Sequence, residues 1–176
     1  MTKRVTLLGV VSVLLVSVSA GCSAAFWEGF NEGLAGAQGA TSAGRAYGQM
    51  PELLIFGGSG HDEFLGCLNC SEYSSDSICN GYGTYGNEYS SSGMFNEYSG
   101  FGNEYSSSSP WNEYSSSNAV PVLVDRGGNF YGYFTINRYR SDAADFADDL
   151  AGFYEGADGD LEVVRKNLCR MLGLSG

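Results

Sequence analysis
The sequence predicts a mixed α+β chain, mainly β with helices toward its ends. Three observations carry this. Two stretches read as strand, Gly-rich turn, strand: residues 52–69 and 120–137. Between them a sixteen-residue phrase is repeated three times. After them, apolar residues recur at helical spacing up to the C-terminal region.

In chain order, Lys3 and Arg4 precede an apolar run from Val5 to Val18, and Ser19-Ala20-Gly21-Cys22 follows. This is the order of a secretory signal, so residues 1–21 are expected to be one. The run is short for a membrane-spanning helix. Ordinary cleavage after Ala20 is one outcome. "SAGC", with the run before it, resembles the lipobox of bacterial lipoproteins over residues 3–22. It departs from that pattern at Ser19, where Leu, Val or Ile is usual. The resemblance implies lipidation of Cys22, attachment to the membrane through the lipid, and residence in the cell envelope. Ser23 resembles an outer-membrane address in a two-membrane bacterium. Residues 22–50 read as an anchored, partly helical segment and linker, with Phe26, Phe30 and Leu34 on one helical face.

The formal charge of −11 becomes −13 without Lys3 and Arg4. Such a balance excludes nucleic acid as a partner, because phosphate contacts need clustered Lys and Arg. Cys67, Cys70, Cys79 and Cys169 make an even set once Cys22 is set aside. In an exported chain they read as disulfides, with the pairing left open. A structural metal on His61, Cys67, Cys70 and Cys79 is the weaker alternative, since only one tight Cys pair is present. No metal site and no cofactor is assigned.

The first hairpin is Glu52–Phe56, a turn containing Gly57, Gly58, Gly60 and His61, then Glu63–Asn69. The second is Val120–Asp125, a turn at Arg126–Asn129, then Phe130–Asn137. "FLGCLN" and "FYGYFTIN" share a grammar of aromatic, large residue, Gly and a closing Asn. They are expected to flank the repeats and to cover their open ends, giving a β-repeat domain over 51–140.

The repeats are residues 71–86, 87–102 and 103–118, and six of sixteen positions are identical in all three. Tyr73, Tyr89 and Tyr105 are equivalent, as are Asn80, Asn96 and Asn112. Another position holds Cys79, Phe95 and Trp111. Ser, Gly and Asn disfavour a helix. The expected structure is therefore a stack of short extended pieces, with Tyr, Asn and the Cys79-Phe95-Trp111 position each forming a column. One unit should then be removable without loss of phase. The pattern is similar to that of uncharacterised exported proteins with tyrosine-rich tandem repeats, a likeness that implies no activity.

Residues 141–176 are expected to form a helical hairpin. Ser141 is the candidate cap of a helix carrying Phe146, Leu150 and Phe153, with Asp142 and Asp145 at its positive end. Gly156–Gly159 turns the chain, and Leu161, Val164 and Leu168 lie along a second helix.

One histidine, no Gly-x-Ser-x-Gly elbow and no phosphate loop leave no reaction to assign. Glu72, Glu88 and Glu104 are equivalent copies, which suits structure better than a catalytic pair. The expected role is that of a structural or interaction protein of the envelope, not an enzyme. The alternative is a glycan or cell-wall binding module using Tyr73, Tyr89, Tyr105 and Trp111. Rings turned inward favour the first role, and a row of solvent-exposed rings favours the second.

Overall fold
A computed structural model describes residues 51–174. The signal segment, Cys22 and the 22–50 linker lie outside the described residues.

Both expected hairpins form. Strand β1 spans Leu53–Gly57 and β2 spans Glu63–Cys67. Strand β3 spans Val122–Asp125 and β4 spans Phe130–Tyr133. Gly58 and His61 take the positive φ that the first turn needs, and Gly128 does so in the second. The hairpins do not sit at opposite ends of the repeat. They join into one antiparallel sheet of order β2-β1-β3-β4, in which Leu54 faces Val124 and Ile55 faces Leu123. Two strand edges that each hairpin alone would leave bare thereby satisfy one another.

The outer edges are closed in the same way on both sides. Cys67 N–H donates to Asp76 O, and Ile78 N–H donates to Cys67 O. On the other edge Tyr133 N–H donates to Asp142 O, and Ala144 N–H donates to Tyr133 O. The glycine just before each bridge, Gly66 or Gly132, has a φ of 120° or 107°. A Cβ on Gly66 would strike Ile78, and one on Gly132 would strike the backbone of Ala144. The likeness between "FLG" and "FYG" is thus a shared way of sealing an edge, in which only glycine fits.

The repeat region departs from expectation. From Ser71 to Ala119 no strand forms, apart from the single bridge of Ser77 to Cys67. Consecutive turns take the place of the extended pieces. Their hydrogen bonds start at Asn87, Ser90, Gly93, Asn96 and Ser99, and the next begins at Asn103. Four steps of three residues and one of four fill each of the first two sixteens, which accounts for the period, and the third repeats the four steps of three. The physical cause is side-chain competition with a β ladder. Asn Oδ1 accepts the N–H two residues on, at 2.8–3.1 Å, at Asn80, Asn87, Asn96, Asn103 and Asn112. That bond fixes a turn before any strand can pair.

Successive turns are bonded to one another. Asn96 Nδ2 donates to Ser90 O, and Asn112 Nδ2 donates to Ser106 O. Ser108 and Ser109 hydroxyls reach back eight residues to Gly100 O and Phe101 O. The ribbon starts against β2 at Ser77 and ends near β4. There Ile136 N–H donates to Pro110 O, and Arg140 donates to Ser117 O.

The space between ribbon and sheet is the core. Ile78, Met94, Phe95, Phe101 and Trp111 come from the ribbon; Ile55, Leu65 and Leu123 come from the sheet. Phe95 and Trp111 do meet, with ring centroids 5.7 Å apart, and Trp111 also contacts Phe134 edge-on. Cys79 is committed elsewhere, to a disulfide with Cys169.

Helix α1 spans Ala147–Gly156 and α2 spans Leu161–Met171, so the expected helical hairpin is present. Ser141 does not cap α1. The helix starts later, after Phe146, with Asp148 and Asp149 in its first turn. Residues 140–147 continue the three-residue turns, and Ala143 is taken by β4, so the chain cannot yet coil. Asp160 caps α2, its carboxylate accepting the N–H groups of Glu162 and Val163. The turn between the helices uses Asp158 and Gly159 at positive φ.

Arg165 braces α2 against the ribbon. It is buried and paired fork-to-fork with Glu162 at 2.7 Å, and its remaining arm donates to Cys79 O at 2.9 Å. Burying a guanidinium is tolerable only with such complete pairing.

Candidate functional site
The site is built largely by Asn-x-Tyr, which in its longer form is an apolar residue, Asn, any residue, Tyr. Cys79, Phe95 and Trp111 are buried, and the Asn after each turns the chain back. The Tyr three residues on therefore leaves the opposite side. Tyr73, Tyr82, Tyr89, Tyr98, Tyr105 and Tyr114 are between 77% and 100% exposed. The phrase occurs once more outside the repeats. Ile136 is buried, Asn137 accepts the N–H of Tyr139, and Tyr139 is 90% exposed. Its signal, Asn-x-Tyr at residues 137–139, was legible but lay hidden after a strand.

Seven exposed phenol rings are costly. Each leaves a large aromatic surface in water, and contiguous exposed aromatic surface marks an interaction site. The rings carry little conformational entropy, having only two side-chain torsions, and so suit contact with a partner. Hydrogen bonding with the preceding Glu, then its charge, raises the phenol pKa at Tyr73, Tyr89, Tyr98, Tyr105 and Tyr114. Those phenols stay neutral donors well above neutral pH.

Of the four ring residues singled out in the sequence, Tyr73, Tyr89 and Tyr105 stand on this face. Trp111 does not. It is 1% exposed, and its indole N–H donates to Met94 O. The turn at Asn112 sets it opposite Tyr114, on the side that the rest of the fold covers, so its size serves the core and not an open contact.

At one end of the face the rings border a cleft of about 630 Å³. Tyr105, Tyr114 and Tyr139 line it from the ribbon side, and Tyr154 of α1 lines the other. Tyr154 lies parallel to Trp111, with centroids 5.9 Å apart. Its hydroxyl donates to Glu104 Oε2 at 2.9 Å. Burial first, and this carboxylate second, push the Tyr154 phenol far above its ordinary value. Glu104, Glu113 and Asp158 also line the cleft. Its Arg138 is already paired with Glu155 at 2.8 Å and with Asp148 at 3.6 Å. Nothing in the sequence flagged Tyr154, because its role depends on where α1 lands.

The cysteines are paired as Cys67–Cys70 and Cys79–Cys169. The three sulfurs that the metal alternative would have used, those of Cys67, Cys70 and Cys79, are all consumed. Two disulfides fit an oxidising, exported environment. Among the described residues no group of three or more His, Cys, Asp or Glu is placed to hold a metal ion. No family model matches the chain, and neither the curated proteins nor the solved structures yield a match.

Proposed function
We propose that this chain is an exported glycan-binding module of the cell envelope, held there through a lipid on Cys22. The observation that carries the binding role is the set of seven solvent-exposed tyrosines, six of them in Asn-x-Tyr, three of which converge on one cleft. A sugar offers apolar C–H faces and a rim of hydroxyls. Flat phenol rings flanked by Glu carboxylates match both. Repetition suits a polymer, because each added ring can meet an equivalent unit of the ligand and weak contacts then combine. A purely architectural role would bury these rings, as it buries Trp111.

Purified peptidoglycan should retain the protein in a pull-down. Tyr105→Ala, Tyr114→Ala and Tyr139→Ala combined should abolish retention while leaving the circular dichroism unchanged, since all three rings are exposed. Undiminished retention by that variant would return the chain to a structural or protein-interaction role.

The anchor rests on "SAGC" after the apolar run. Cys22→Ala should release the protein from the membrane fraction and end fatty-acid labelling. Label persisting in that variant rules the anchor out.

A further inference from the structure
The cleft bordered by Tyr105, Tyr114, Tyr139 and Tyr154 is acidic as well as aromatic. Glu104, Glu113 and Asp158 line it, and among the described residues no cation is paired with any of them. Arg138, the only base in the lining, is already held by Glu155 and Asp148. A ligand entering the cleft thus meets uncompensated negative charge beside the negative faces of several rings.

Charge and volume narrow the ligand. The cleft, at about 630 Å³, is in the size class of small-ligand sites, roughly 300–1,000 Å³. An acidic sugar would bring like charge into it and be disfavoured, so in a mixed polymer the cleft engages the units that are not acidic. A neutral N-acetylated sugar could stack on the rings and donate its hydroxyls to the carboxylates, but it brings no charge to pair with them. A protonated amine on a sugar ring gains from both. It can pair with a carboxylate and lie against a phenol face, a cation–π contact of about 0.5–2 kcal/mol.

We infer that this cleft selects glycan units carrying a free, protonated amine, of the glucosamine type, over N-acetylated or acidic units. The inference rests on the glycan-binding reading and names the ligand class of the same face.

Calorimetry with glucosamine and N-acetylglucosamine oligosaccharides of equal length, at physiological salt and a pH that protonates the amine, tests it. The amine form should bind roughly tenfold tighter, the equivalent of about 1.4 kcal/mol. Glu113→Gln should erase most of that preference, weakening the amine form several-fold more than the N-acetylated form. Glu63→Gln with Asp145→Asn, two exposed acids away from the cleft, should leave both ligands unaffected. Equal affinity for the two sugars overturns the inference. So does an equal effect of the distant pair, which would mean that the net negative charge of the chain attracts amines diffusely. If the protein holds peptidoglycan yet binds neither oligosaccharide, the cleft is not the site while the glycan reading stands. Failure of both the pull-down and the calorimetry removes both.

Discussion
Replacing Cys79 and Cys169 together by Ser is expected to lower the unfolding free energy by about 4.5 kcal/mol. The bond spans 90 residues, and that wide loop is the source of the effect. Without it the unfolded chain regains the freedom of a segment that includes the second and third repeats and the whole second hairpin. A marginal domain has only about 5–15 kcal/mol to lose. The Cys67–Cys70 bond spans three residues, so Cys67→Ser with Cys70→Ser should cost much less, about 2 kcal/mol by the same loop argument. Denaturant unfolding followed by Trp111 fluorescence measures both. Equal losses from the two variants would refute the loop-entropy account. The neighbouring Arg165–Cys79 contact is a main-chain one and survives the substitution, which keeps the comparison clean.

Deleting residues 87–102 is expected to abolish cooperative folding. The sequence alone points the other way, because a whole repeat leaves the phase of every turn intact. The sheet decides against it. One end of the ribbon is bonded to β2 through Cys67, and the other reaches the segment after β4 through Pro110 and Ser117. Both hairpins belong to one sheet, so the distance the ribbon must cover is fixed. A solenoid with a free end can lose a unit, but one tied at both ends cannot. The deletion also removes Met94, Phe95 and Phe101, all buried, where each large core truncation alone costs about 2–5 kcal/mol. Circular dichroism and a urea melt of the deleted chain provide the check. A sigmoidal transition near that of the parent chain would show that the ribbon is not tied at both ends.

What could be read from the sequence was local. Apolar stretches on either side of Gly-rich turns were enough for both hairpins, because each closes over a few residues. Leu161, Val164 and Leu168 placed α2, since an apolar stripe at helical spacing is contained within a few turns of chain. The period of sixteen was visible, and it is real in the hydrogen bonds. Its conformation was misread, because Asn and Ser bond to their own backbone two residues on and so outcompete strand pairing. That spacing was present in every Asn-Glu-Tyr.

Tertiary structure alone decided three things. It paired β1 with β3, whose partners Leu54 and Val124 lie seventy residues apart in sequence. It joined Cys79 to Cys169, where parity could only say that some pairing existed. It also set which aromatics face water. Trp111 and Tyr114 are three residues apart and both large, yet one is buried and the other exposed. The turn between them fixes that they point oppositely. Which of them points inward depends on which side of the ribbon the sheet and α1 cover, and that choice is made by residues far away in the chain.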